Sequence, residues 1–159
     1  MVRVDIETIV MAAGPVPSLI VLRERCSKSD SPAPLRSLSI QTGSFEAAAI
    51  SRGIDSGRAE RPIAHDLLLD TLDALDAKLE RIEIVRAEPP VFYATVVVLA
   101  DSNEHRIDAR PSDAIALAVR SNAPMFVEDD ITNRLGTVSP VAEAVADAQA
   151  FETFDEFVH

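Results

Sequence analysis

The stretch Ile107-Asp108-Ala109-Arg110-Pro111-Ser112-Asp113-Ala114-Ile115-Ala116-Leu117-Ala118-Val119 decides how the rest of the chain is read. An alternating strand ends at Arg110. Pro111 suits the first position of a helix, where its missing N–H would have had no intrahelical partner. Ser112 and Asp113 fill the first turn. There a carboxylate meets the positive end of the helix dipole, and the Ser112 hydroxyl is a candidate cap. From Ala114 onward the chain is almost wholly apolar. The spacing predicts strand, turn and helix, with the Arg110 guanidinium and the carboxylates of Asp108 and Asp113 crowded at the junction. Apolar packing does not require that polar cluster.

The same pattern occurs earlier. Ser39-Ile40-Gln41-Thr42-Gly43-Ser44-Phe45-Glu46-Ala47-Ala48-Ala49-Ile50 aligns without gaps on Arg106 to Leu117, with Glu46 at the place of Asp113. Each copy follows a β-hairpin pattern. Two strand–strand–helix units of this kind predict an α+β fold, a pseudo-duplicated mixed sheet packed by helices, with both polar junctions facing one groove. Both Ala-rich helices are apolar on too many sides to lie half exposed.

Residues 1 to 13 alternate as a strand with a bulge near Thr8, and Gly14 to Pro17 form a turn. Ser18 to Arg25 and Leu35 to Gly43 are the next strands, separated by an exposed loop from Cys26 to Pro34. The first helix opens at Gly43-Ser44 and is broken between Gly53 and Arg61. A second helix is predicted from Leu67 to Leu79, with Leu68, Leu72, Leu75 and Leu79 as its apolar stripe. Strands follow at Arg81 to Ala87 and, after Pro89-Pro90, at Val91 to Ala100. The latter is near-continuously apolar, like a central strand. A turn at Asp101 to Glu104 returns the chain through His105 to Arg110. Ala123 to Glu128 reads as a short edge strand, and Asp129 to Leu135 as one or two helical turns ended by Gly136. The domain is therefore placed at 1–135. The tail, 136–159, is acidic and sets Phe151, Phe154 and Phe157 along one helical face.

Composition narrows the class. At 159 residues and 47% hydrophobic content the chain suits one folded domain. The single cysteine, Cys26, allows no intrachain disulfide, and no run approaches the ~18 apolar residues of a membrane span. The reading is a soluble cytoplasmic protein. The net charge of −11 argues against a general nucleic-acid coat, which carries a basic footprint. Without residues 139–159 the balance is still 15 basic against 21 acidic residues. Glycine-rich phosphate loops, CxxC, HExxH and GxSxG motifs are absent from the sequence.

These residues give the chain a resemblance to the bifunctional nuclease family. It is carried by Gly43 to Ile50, Arg61-Pro62 with His65-Asp66-Leu67, Phe92-Tyr93-Ala94, and above all Asp108 to Ala118, with Ala123-Pro124 and Phe126-Val127 downstream. It covers roughly residues 1 to 135. The chain departs from the family pattern at Ser39, Thr42 and Ala64, where Pro, an apolar residue and a capping Thr are expected. An alanine at 64 cannot supply a side-chain cap. The charged positions remain.

The resemblance implies hydrolysis of RNA or DNA phosphodiesters, helped by a divalent metal, Mg²⁺ or Mn²⁺. Such chemistry needs an activated water and charge stabilisation on the phosphoryl oxygens. Glu46, Asp66, Asp108 and Asp113 are the candidate metal ligands. His65 is the candidate base, with Arg110 and Asp113 completing the catalytic set. Arg110 is also the candidate phosphate clamp, with Ser112 beside it. Each has a structural alternative: carboxylates are common in a helix's first turn, and Arg110 can serve a local ion-pair network. The competing function is a non-catalytic binding or regulatory module, favoured by the acidic charge and by having few aromatics for base stacking. A homodimer is expected from the apolar surface of the two Ala-rich helices and the phenylalanine stripe.

Overall fold

The computed structural model describes residues 1–25, 34–55 and 60–138. The chain runs β1 (Val2–Val10), β2 (Ser18–Glu24), β3 (Arg36–Thr42), α1 (Ser44–Asp55), α2 (Ala64–Ala74), β4 (Lys78–Glu88), β5 (Val91–Ala100), β6 (Asn103–Ala109), α3 (Pro111–Ser121), β7 (Met125–Val127), α4 (Asp129–Leu135) and β8 (Thr137–Val138). The expected loop at Cys26 and the phenylalanine-bearing tail fall wholly or largely outside the described residues, as do residues 56–59 of the expected break; Gly53 itself does not break the first helix, which runs on to Asp55.

All eight strands form one mixed sheet in the order β6-β5-β4-β7-β1-β2-β3-β8. Two antiparallel meanders, β1-β2-β3 and β4-β5-β6, are each followed by a helix, α1 and α3. They meet at β7, which runs parallel to β4 and antiparallel to β1. β1 and β4 therefore run in opposite directions, so the meanders are related by an approximate twofold axis normal to the sheet. This is the α+β duplication expected from the repeat.

Alternation explains the layers. Ile20, Leu22, Ile82 and Ile84 project from the sheet into a core that also takes Ile50 of α1 and Ile115 of α3. The small residues let α1 and α3 pack against each other. A Cβ on Gly53 would press on Val119 and Arg120, so glycine permits that approach. The opposite face of β4-β5-β6 carries charge: Glu83 lies across from Thr95, and Arg81 across from Val97, which in turn faces Arg106 of β6. Glu83 is 3% exposed, held by Arg106 and by Arg81 Nε at 2.7 Å, while Arg81 also reaches Glu104 at 2.6 Å. The bulge expected near Thr8 lies between Ile6 and Thr8.

Three further elements differ from the sequence reading. α2 begins at Ala64 and ends at Ala74, because Asp76 adopts a left-handed φ of 54° and Leu79 enters the core from β4. Its packed residues are Leu69 and Leu72, leaving Leu67, Leu68 and Leu75 exposed. β4 is longer than expected, starting at Lys78. β7 is a central strand rather than an edge: Val127 is fully buried between β4 and β1. No helix among the described residues is long and apolar enough to cross a membrane.

Candidate active site

The two halves of the duplication place matching junctions side by side. β3 ends at Thr42 and Gly43 leads into α1, whose first turn carries Glu46. β6 ends at Ala109, extended Arg110 is the N-cap of α3, and Pro111 opens the helix with Asp113 in its first turn. Arg110 donates from Nε to Asp113 Oδ2 at 2.8 Å and from Nη2 to Oδ1 at 3.3 Å. Its Nη1 reaches across to Glu46 Oε1 at 3.4 Å. The guanidinium thus joins the two pseudo-equivalent carboxylates while remaining largely exposed.

His65, one residue into α2, completes the cluster through a contact of 3.1 Å between Nε2 and Asp113 Oδ1. Burial pushes the Asp113 carboxyl up, but the bonds from Arg110 and His65 outweigh it and hold the group below the usual aspartate range. Asp113 is then an acceptor at neutral pH, so His65 Nε2 must carry the proton in the pair. In the neutral ring Nδ1 is left as the base. The Asp113 bond in turn raises the Arg110 guanidinium above its ordinary value.

The remaining candidates are placed differently. Ser112 is buried and lines the groove with Glu46 and Arg110, but α3 has no side-chain cap hydrogen bond, so the expected capping role is not realised. Asp66, expected among the metal ligands, accepts the Ile63 N–H at 3.1 Å and Arg120 Nε at 3.2 Å. Arg120 also donates to the carbonyls of Ala116 and Ala49, both at 2.8 Å. The Asp66 and Arg120 side chains are 11% and 8% exposed. Asp66 is therefore spent in a knot tying α2 to α1 and α3. Asp108 is exposed on β6 opposite Thr95, and the pairs formed by Arg110 do not include it. Among the described residues no three His, Cys, Asp or Glu side chains form a group that could hold a metal ion. The four predicted carboxylates are not gathered, and a guanidinium lies between Glu46 and Asp113. This donor set does not fit a resident Mg²⁺ or Mn²⁺.

Arg120 escaped the sequence reading. It stands in the last turn of α3, where a cation is ordinary beside the negative end of the helix dipole, so nothing local marks its buried partner.

Residues 28–140 match the family model described as the bifunctional nuclease domain. The chain belongs to the bifunctional nuclease domain family. Two uncharacterized proteins of Mycobacterium tuberculosis, from strains CDC 1551 / Oshkosh and ATCC 25618 / H37Rv, are each 36% identical over 105 residues. That alignment spans 66% of this chain and 62% of each relative, so the chain matches a little under two thirds of their length. The domain match includes both strand–helix junctions, α2 and β7, and so all the residues of the Arg110 cluster.

Proposed function

We propose that this bifunctional nuclease domain hydrolyses phosphodiester bonds of RNA or DNA at the Arg110–Asp113–His65 cluster. The observation that supports it is that one surface carboxylate, Asp113, holds both an imidazole and an exposed guanidinium, and that this guanidinium lines a groove between two helix starts. A phosphodiester entering there takes the place of Glu46 at Arg110 Nη1, the longest of the guanidinium's contacts. The N-termini of α1 and α3 add positive potential, and the Ser112 hydroxyl is available as a further donor. His65 Nδ1 takes a proton from water as its oxygen bonds to phosphorus. Asp113 stabilises the imidazolium, which returns the proton to the departing oxygen as the P–O bond breaks. No step here needs a metal ion.

The test is cleavage of single-stranded RNA and DNA by the purified chain, in Mg²⁺, in Mn²⁺ and in EDTA. His65→Ala should lose about 10²–10⁴-fold in rate, the span of general acid–base catalysis. Asp113→Asn and Arg110→Ala should lose activity with their thermal transitions little changed. Full activity in these folded variants would sink the site, and activity abolished by EDTA would overturn the metal-free steps.

A second reading, a protein-binding module, is favoured by apolar side chains left in solvent: Phe45 is 88% exposed and Leu75 71%. Absence of cleavage under every metal condition would select it.

A further inference from the structure

The groove beside Arg110 has a second wall that the hydrolytic steps do not use. It is formed by Pro90, Val91 and Phe92 at the β4–β5 hairpin and by Gln41 and Thr42 at the end of β3, and the groove encloses about 300 Å³. Val91 is half exposed, and Phe92 packs partly against the core. We infer that this wall is a subsite for one unpaired nucleobase, so that the domain takes single-stranded nucleic acid. The inference rests on Arg110 acting as the phosphate clamp.

Three observations carry it. The first is the order of chemistry along the groove. A guanidinium for phosphate stands beside an apolar wall suited to a base face. The Gln41 amide and Thr42 hydroxyl, which both donate and accept, suit a base edge. The second is size. The volume lies at the low end of ligand sites, ~300–1,000 Å³, room for one nucleotide. A base stacked and paired in a duplex offers neither its face nor its Watson–Crick edge to such a wall.

The third is charge. Duplex binding draws its affinity from many phosphates lying on a basic surface. This chain carries −11, and Arg110 is the one cation among the described residues lining the groove. Affinity must then come mainly from the base. A single phosphate contact to a single strand implies a log–log salt slope of about −0.7, so raising salt from 50 to 200 mM should weaken binding by about threefold.

The test is fluorescence anisotropy on the full chain. The probes are a short labelled single strand with a cleavage-resistant phosphorothioate backbone and a hairpin duplex of the same sequence. Single-strand binding should exceed duplex binding and show the shallow salt slope. Val91→Asp, at an exposed position that should not disturb folding, should weaken it by at least about fivefold, as the wall loses apolar contact with the base and gains a charge that repels phosphate. Gln41→Ala should cost about two- to tenfold. Equal or tighter duplex binding, a steep salt slope, unchanged affinity in Val91→Asp, or no binding to either probe would each overturn the subsite. The two readings fail separately. Cleavage without strand preference keeps hydrolysis and removes the subsite. Single-strand binding lost in Val91→Asp, with no cleavage, keeps the subsite and removes hydrolysis.

Discussion

Gly43 shows how a single missing carbon can shape the cluster. A Cβ there would fall within the Glu46 carboxylate, so the glycine lets that side chain fold back over the start of α1 toward Arg110. Its φ lies outside the left-handed region, and the obstruction is the far end of a flexible side chain. Gly43→Ala should therefore keep the fold, the gain from a stiffer unfolded chain being offset by the poorer fit of alanine at the N-cap of α1. What it should lose is the Glu46–Arg110 contact. Because Glu46 competes with a phosphate for Nη1, we expect KM for nucleic acid to fall in Gly43→Ala and in Glu46→Gln alike, with melting temperature little changed. An unchanged KM in both variants would show that Glu46 does not compete.

At the scale of elements, α2 is the least self-sufficient piece. It has no fully buried residue, and its register relies on the Asp66–Arg120 knot at its first turn. Removing one partner of a buried ion pair leaves the other uncompensated, at a cost of about 3–5 kcal/mol. For a chain of this size that is a fall of roughly 10 °C in melting temperature. Arg120→Ala should show it by calorimetry, whereas His65→Ala should lose activity while keeping most of its stability. Equal melting temperatures for wild type and Arg120→Ala would deny the knot its role. The knot also marks where sequence stops being legible. The strand–helix junctions at Thr42–Glu46 and Ala109–Asp113 could be read because local chemistry fixes them: alternation, a glycine or proline, an acid in the first turn. The end of α2 is not legible because its leucines fit a helical stripe, yet Leu79 belongs to β4. Nothing local announces the left-handed turn at Asp76. β7 looks like an edge in sequence because three residues carry no sign of their neighbours; its central place follows from β1 and β4 both needing a partner. The Arg110 cluster could be foreseen as charges at matching helix starts. The capture of Asp66 by Arg120 and the apolar wall at Pro90–Phe92 depend on contacts distant in sequence.

At the scale of the whole molecule, charge acts in two opposing ways. The chain carries 26 acidic and 15 basic residues, so lowering pH from 7 toward its isoelectric point near 4.6 relieves self-repulsion and favours the compact state. Against this stand carboxylates whose ionised form the fold stabilises. Burial pushes Glu83 up, but bonds from Arg106 and Arg81 outweigh it and hold the carboxyl below the usual glutamate range. Burial likewise works on Glu24, and the side-chain and backbone bonds from Arg36 bring it down. Glu83 binds side chains of β4 and β6 across β5. Arg36, beside Glu24 on the neighbouring strand, extends to Asn133 of α4 at 2.6 Å. A depressed folded-state pKa contributes stability that is complete above the unfolded value, about 4.3 for Glu. That stability is lost as pH falls from there through the folded value. Unfolding free energy from denaturant titrations should thus hold or rise slightly between pH 7 and 5, then drop steeply below about 4.3. Glu83→Gln isolates the cause. It leaves two arginines beside a neutral group, so it should be less stable at pH 7, and it should fall less between pH 5 and 3 because the carboxyl responsible is gone. A parallel decline in both proteins over that window would place the acid sensitivity elsewhere than in the sheet's charged face.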